Sequence, residues 1–538
     1  MKDRALADAP LATSHPAAGI PGVASLRCKW FLLVIIPLLW AAAYLPALGT
    51  RPLRLEEGRR ATPAREMLQS GNYVVPTLYG EPYLNKPPLF FWLVASASSM
   101  TGGVNEWSDR LPSVIAVLLC AFIVARFAAR EIPRETRLMG ALFFLSSIAV
   151  LDKGALGEIE SAVSLFVFAA SAAWYAGYSR DTRQHLGSWA ITGVLLGLAM
   201  LTKGPPAVLQ FYLPLIVFLL WQRDIRRLFS LGHLLCIVLI ATPIAGWVYA
   251  IYSSNPGAFH ATIDNWLGQM GVKMVGQLSA TKTITAATRQ DLFDHYVYFP
   301  LQAFQMILPW GLVLLALLVP SWRRAVMTAA PDESGATQVD HSSPVVRYLL
   351  SSVIVSILFF WLWPTARPRH MMAVCQPAAM LSAIVFVALI RQRMSRVRWV
   401  LPAALGLAIT ILLGRGAFST FFNPHKAPTD APRLITAQIA SVIPPDRPAY
   451  TTLTFASGKG ESLYNVQFYF SPHLRALPRF ADLPPNLPAR VFMAPADWDA
   501  ARTDSTLTVQ LLADVPLTKA ETPAIKRIIV ADITRHAP

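Results

Sequence analysis

Charge is scarce in this chain. Only 14% of its 538 residues are Asp, Glu, Lys or Arg, where a soluble domain carries roughly 25%, so an ordinary cytosolic enzyme is excluded. Cysteine is scarcer still, with four in all and no CxxC pair. Cys28 precedes the first apolar run, and Cys120, Cys236 and Cys375 lie inside apolar segments. They read as small packing residues rather than as a disulfide framework or a thiolate metal site. No Walker loop, Rossmann glycine fingerprint or HExxH is present, so nothing points to a soluble nucleotide as energy source. No repeat of fixed period is seen. Disorder is excluded as well, because 11% aromatic content and long apolar runs supply ample surface to bury.

What is abundant is apolar sequence, 54% of the chain, together with a net charge of +16. The cations are dispersed in short clusters between apolar runs, the distribution of a polytopic membrane protein rather than of a nucleic-acid binder. Runs long enough to cross about 30 Å of hydrocarbon occur near 30–48, 111–128, 138–152, 159–178, 187–201, 206–221, 229–252, 299–320, 346–364, 371–390 and 398–414. The expectation is an α-helical polytopic protein of about 11–13 transmembrane helices. Residues 1–29 form a cytoplasmic tail, and Trp30 to Leu48 reads as a retained anchor. The short run Pro87–Met100 suits a helix in the membrane interface. Arg126, Arg130, Arg134 and Arg137 then share one side with Arg180, Arg183, Arg223, Arg226, Arg227, Arg323, Arg324, Arg391, Arg393, Arg396 and Arg398. The positive-inside rule makes that side cytoplasmic.

The opposite side receives outer loops 49–110 and 253–298 and everything after about 416, within a membrane domain spanning 30–416. Residues 417–538 turn polar and Pro-rich. Short runs at Ala449–Phe455, Leu463–Phe470, Arg490–Met493 and Arg527–Ile533 read as strands, and Ala431–Val442 as a helix, which predicts a small α/β extracytoplasmic domain. Ionisable residues gather on this outer face. Glu56 and Glu57 follow the first span among Arg51, Arg54, Arg59, Arg60, Arg65 and Lys86. Asp152, Lys153, Glu158 and Glu160 lie in the next outer turn, Lys203 in LTKGPP, and Arg367, Arg369 and His370 in ARPRH. Carboxylates at a membrane boundary can deprotonate a hydroxyl or position a cation, and arginine and lysine can hold a lipid phosphate. Each residue alone also fits a surface ion pair or a snorkelling anchor. Converging on one face, they describe a cavity for a phosphorylated lipid.

Five motifs occur in order: EEGRRATPAREMLQSGNY, GEPYLNKPPLFFW, NEWSDRLPS, LTKGPP and RPRH. In these the chain resembles the aminoarabinose transferases, relatives of the dolichyl-phosphate-mannose protein mannosyltransferases with the GT-C fold. The resemblance covers most of 30–420 and weakens beyond it. It departs at Glu56, where the family usually has aspartate, at Asn85, commonly acidic, and at His370, usually tyrosine. The aspartate expected after the third span aligns best with Glu160, and next with Glu158.

The resemblance implies a glycosyltransferase of the bacterial inner membrane with its active site facing the periplasm. It would move a sugar, in the aminoarabinose branch an amino sugar, from undecaprenyl phosphate to lipid A or another envelope acceptor. Its partners would be the polyprenyl-phosphate-sugar donor, the acceptor and membrane lipid, with no nucleic acid. Lys86, Lys203, Arg367, Arg369, His370 and Arg59 would hold the donor phosphate. Glu57, with Glu56 beside it, would orient or deprotonate the acceptor, and Glu160 and Glu158 are further catalytic candidates. No cofactor is dictated, and a divalent metal stays open. A Ser or Thr hydroxyl as acceptor, a transporter or flippase, and a binding module on an inactive copy of the fold are the alternatives. A transporter would place ionisable residues near the midplane and show repeated halves, which this sequence does not.

Overall fold

The computed structural model describes residues 34–46, 48–180, 186–257, 259–260, 286–327, 343–363, 366–392, 399–422, 436–437, 449–453, 463–470, 473–516 and 527–536. Seven helices among them are long and apolar enough to cross a membrane: Glu106–Arg126, Ile159–Tyr178, Leu186–Lys203, Leu231–Ser254, Pro344–Trp361, Pro368–Arg391 and Val400–Phe421. An eighth span results if Leu292–Met306 and Gly311–Leu318, bent by 110° about a break containing Pro309, act together. The other apolar runs also lie on helices but on shorter ones, Ile36–Tyr44 in the described part of the first run and Pro205–Trp221.

The run near 138–152 is broken. Ser146 and Ser147 donate their hydroxyls back to the carbonyls of Leu142 and Phe143, Trp310 Nε1 donates to Ser146 Oγ at 2.9 Å, and Ile148 N donates to Leu308 O at 2.9 Å. Serine side chains competing for backbone partners end the first helix at Leu145, and a second runs Ile148–Lys153. The run after Pro87 forms an 11-residue helix, Leu89–Ser99. At 1.5 Å per residue it spans about 16 Å, half the hydrocarbon thickness, and it packs against the Gly58–Ser70 and Glu106–Arg126 helices.

The C-terminal region contains a five-stranded sheet in the order Arg475–Ala476, Ala449–Thr451, Pro488–Met493, Arg527–Arg535, Leu507–Pro516. The first three strands are parallel and the last two pairings antiparallel. A helix, Pro495–Thr503, connects two of the strands. The Leu463–Phe470 run is a correction: it forms a helix, Tyr464–Phe470, not a strand. Tyr464, Asn465, Val466, Gln467 and Phe468 are all buried, and a helix wedged in on every side shows no amphipathic period to read. The expected helix at Ala431–Val442 lies almost wholly outside the described residues, as does most of the 253–298 loop.

This C-terminal helix is what ties the sheet domain to the first outer loop. Asn465 Oδ1 accepts from Gly58 N at 2.9 Å, and Asn465 Nδ2 donates to Leu55 O at 3.2 Å. Tyr469 Oη accepts from Leu53 N and donates to Glu106 Oε1, both at 2.7 Å. Gly58 is required here by close approach: a Cβ would stand 2.6 Å from the Tyr464 carbonyl carbon.

Candidate active site

The site grows from the Gly58–Ser70 helix, which Gly71 ends with a left-handed φ of 69°. Helical spacing stacks Glu56, Arg59 and Arg60 on one face. Arg59 Nη2 donates to Glu56 Oε2, Arg60 Nη2 reaches the same oxygen at 3.4 Å, and Arg60 Nη1 donates to Tyr83 Oη at 3.1 Å. Lower on the helix, Arg65 and Glu66 do two different jobs. Arg65 Nη1 donates to Phe468 O at 2.8 Å, fastening the C-terminal helix. Glu66 Oε1 accepts from Tyr79 N at 2.7 Å and Oε2 from Gly80 N at 3.2 Å. Those residues have φ of 60° and 81°, the left-handed pair of a tight hairpin, so Glu66 holds the turn that leads on to Lys86.

Glu57 is fully buried and saturated. Its Oε1 accepts from Arg110 Nε at 2.7 Å and Gly157 N at 2.8 Å, and its Oε2 from Arg110 Nη2 at 2.7 Å and Arg54 N at 2.8 Å. Arg110 spends its other N–H groups on the carbonyls of Leu48, Arg51 and Pro52 at 2.6–2.8 Å. Burial raises the Glu57 pKa, but the Arg110 charge and these hydrogen bonds outweigh it and hold the carboxyl below its ordinary range. With four donors on two oxygens and no exposed surface, Glu57 fastens the loop to the Glu106–Arg126 helix. Glu56 is the one of the pair with access, its side chain 18% exposed.

Glu56 also reaches a distant segment: Arg369 Nη1 stands 3.3 Å from its Oε1. The same guanidinium approaches Glu160 Oε1 at 3.6 Å through Nε, and Lys203 Nζ lies 3.4 Å from that oxygen. Arg369 therefore bridges two carboxylates 104 positions apart in sequence. Lys203 is delivered by its motif. The Leu186–Lys203 helix ends at Gly204, whose φ of 87° favours glycine, and Pro205 opens the next helix at once. Lys86 stands in the field of this cluster. Burial, then repulsion from Arg60, Lys203 and Arg59, pushes its ammonium down to about 7, against the pull of Glu160.

The remaining candidates make no hydrogen bond or ion pair to these side chains among the described residues, though Glu158 and His370 stand in the field of Glu160 and Arg369. Arg367 is exposed and forms no ion pair among the described residues. The His370 ring packs 5.4 Å from Phe360, and its Nδ1 accepts from Arg367 N at 3.3 Å, a turn-closing role. Glu158 precedes the Ile159–Tyr178 helix, buried, with neither carboxylate oxygen partnered among the described residues. Burial, then the Glu160 charge, raises it to about 7, with Lys153 and Arg369 opposing. Of the two carboxylates in this turn, Glu160 is the one that joins the cluster. Two residues of the site, Arg60 and Arg110, do not stand out as such in the sequence. Arg60 lies in the same RR pair as Arg59 and Arg110 in the NEWSDRLPS motif, but nothing local ties Arg110 to Glu57, 53 positions away. Among the described residues, no three His, Cys, Asp or Glu side chains converge as metal ligands would.

Residues 85–249 match the family described as dolichyl-phosphate-mannose-protein mannosyltransferase. The chain is 27% identical over 353 residues to the undecaprenyl phosphate-alpha-4-amino-4-deoxy-L-arabinose arabinosyl transferase of Erwinia tasmaniensis, covering 65% of this chain and 58% of that protein. It is 26% identical over 390 residues to arabinosyl transferase 1 of Pseudomonas fluorescens, covering 72% and 61%. The chain thus aligns with about three-fifths of the length of these relatives. Its fold is similar to that of ArnT from Cupriavidus metallidurans, with a TM-score of 0.61 for the form bound to undecaprenyl phosphate, at 18% identity over 93% of this chain and 97% of that one. For the apo form the TM-score is 0.65 at 17% identity, with the same coverage. The chain is a multi-span membrane protein with the GT-C fold, and its sequence is similar to those of aminoarabinose transferases.

Proposed function

We propose that this protein transfers a sugar from undecaprenyl phosphate to lipid A or a similar envelope acceptor at the periplasmic face of a bacterial inner membrane. The observation that carries the reading is the composition of the cluster bridged by Arg369. Arg59, Arg60, Lys203 and Arg369 gather around Glu56 and Glu160, with Lys86 in their field. That excess of positive charge in a largely buried site suits a phosphorylated ligand.

In the reaction the bond between the sugar's anomeric carbon and the donor phosphate oxygen breaks, and its electron pair leaves with undecaprenyl phosphate. Lys86, Lys203 and Arg369 stabilise that developing charge, in a pre-arranged site where such stabilisation is worth most. An acceptor oxygen forms the new bond to the anomeric carbon. Glu56 receives the proton of a hydroxyl acceptor, or positions a phosphate acceptor that is already ionised. The match to the protein mannosyltransferase family supports a Ser or Thr hydroxyl as the second acceptor class. Purified protein given donor lipid with lipid A, or with a Ser/Thr peptide, distinguishes them: glycosylated lipid A is expected, glycosylated peptide selects the second class, and no donor turnover with either refutes transfer.

Sidedness has its own test. Alkaline phosphatase fused after Ser419 is expected to be active and after Gln392 inactive, and the reverse would place the cluster in the cytoplasm.

Lys86 gives donor binding a pH dependence. In the empty site it titrates at about 7, and a bound phosphate raises that value, so binding takes up a proton between the two. Affinity for the phosphodiester donor, which itself has no titration near neutrality, should be flat below pH 7 and weaken above it, by up to about tenfold per pH unit. Lys86→Arg, which keeps its charge throughout, should flatten the profile. A wild-type profile that is level from pH 6 to 9 would remove Lys86 from the phosphate site.

A further inference from the structure

A second basic cavity opens at the outer ends of the first and last membrane helices, and it shares no lining residue with the Glu56 cluster. Arg51, Arg54, Arg110 and Arg415 line it with Asp152 over an apolar floor that includes Tyr44. Two of the four guanidiniums have their charge answered. Arg110 is committed to Glu57, and Arg54 stands 3.8 Å from Asp152, an acid it shares with Lys153 at 3.2 Å. Arg415 makes no ion pair among the described residues: Nε donates to Leu151 O at 2.8 Å, Nη1 to Ala43 O, and the guanidinium lies 5.0 Å from the Tyr44 ring centroid. The Arg51 side chain, half-buried, makes no hydrogen bond or ion pair among the described residues. Burial, then Arg54, Arg110 and Arg415, pushes its pKa down to about 10 against the pull of Glu57.

Against Asp152, which Lys153 shares, and Glu57, the four arginines leave an excess of positive charge that suits a phosphate monoester. Unanswered guanidiniums packed this closely repel one another, and a bound anion removes the repulsion. The cavity is small, about 30 Å³, room for two or three waters at roughly 10–15 Å³ each, so it suits a compact anionic group rather than a sugar. Phe418 and Phe421 flank Ser419 at the mouth, 44% and 66% exposed, as interfacial aromatics beside an acyl chain would be.

We propose that this cavity is a second anion site that takes the phosphate headgroup of an envelope lipid. The proposal rests on the cavity's position at the helix ends and is independent of sugar transfer. Native mass spectrometry of the full-length protein in detergent tests it, with dioleoyl phosphatidic acid as probe, dioleoylglycerol as phosphate-free control, and inorganic phosphate alone. Wild type should hold two phosphatidic acids, one here and one in the Glu56 cluster. Arg51→Gln removes no contact made within the protein, so it should fold normally, keep one lipid and weaken the other by about tenfold or more, as loss of a charge-assisted partner does. Arg51→Lys should restore part of that loss. Lys203→Ala should also keep one lipid, and the Arg51→Gln/Lys203→Ala pair none. Unchanged occupancy in both Arg51→Gln and Arg54→Gln, or equal binding of dioleoylglycerol, would overturn the proposal. Inorganic phosphate binding as tightly as the lipid would overturn its lipid part.

Discussion

Replacing Glu56 by glutamine is expected to lower sugar transfer by about 10²-fold or more, up to about 10⁴-fold for a hydroxyl acceptor, with normal amounts of folded protein. Glu57→Gln should fail differently. Glu56 is partly exposed and meets Arg59, Arg60 and Arg369 across an open site, so an amide there removes charge where the acceptor arrives. Glu57 accepts from Arg110 Nε and Gly157 N at one oxygen, and from Arg110 Nη2 and Arg54 N at the other. Whichever way a glutamine is turned, its NH₂ faces two donors. Stripping one member from a buried pair costs about 3–5 kcal/mol, and Arg110→Met should cost about as much because it strands the Glu57 carboxylate. Size-exclusion profiles after heating should show both substitutions as loss of folded protein, with Glu56→Gln resembling wild type. A well-folded Glu57→Gln that is catalytically dead, beside an active Glu56→Gln, would reverse the assignment.

Lys203→Ala is expected to reduce transfer by about 10²-fold, the loss typical of one pre-arranged donor to developing charge, and Lys86→Ala by a similar factor. Lys203 is buried against Glu160 and Arg369 beside the other cations, so its removal takes away one of the two cations within 4 Å of Glu160 among the described residues. Arg369 is then drawn toward Glu160 and away from Glu56, which predicts a fall in kcat beyond any weakening of donor binding. Measurement of kcat and KM separately on purified protein checks this. Near-normal turnover in both alanine variants at equal abundance would return the two lysines to the role of interfacial anchors.

Much of this architecture is legible in the amino-acid sequence. The apolar runs become helices because the bilayer demands internally bonded backbone, and each motif has a local mechanical reason. Gly204 and Pro205 turn the chain sharply after Lys203, Glu66 holds the hairpin before Lys86, and Arg369 sits on a short turn opening the next helix. The division of labour between Glu56 and Glu57 is not legible there. It depends on Arg110, whose five N–H groups are consumed by partners scattered from Leu48 to Glu57. No pattern at the EE pair itself reports that. The Tyr464–Phe470 helix misleads for a related reason: its aromatics contact the sheet on one side and the Gly58–Ser70 helix on the other, so tertiary packing overrides local β preference. Arg51 and Arg54 stand out in sequence as cations on the side that should lack them, and the cavity they line is a reason for their presence.

The most direct test of sugar transfer to the envelope is mass spectrometry of lipid A and of envelope glycans from a strain lacking this protein. Lipid A should lose a sugar-sized mass, regain it with the wild-type gene and not with Glu56→Gln, while the undecaprenyl-phosphate-linked sugar accumulates. Identical lipid A, glycan and donor-lipid spectra in the presence and absence of the protein would contradict the account.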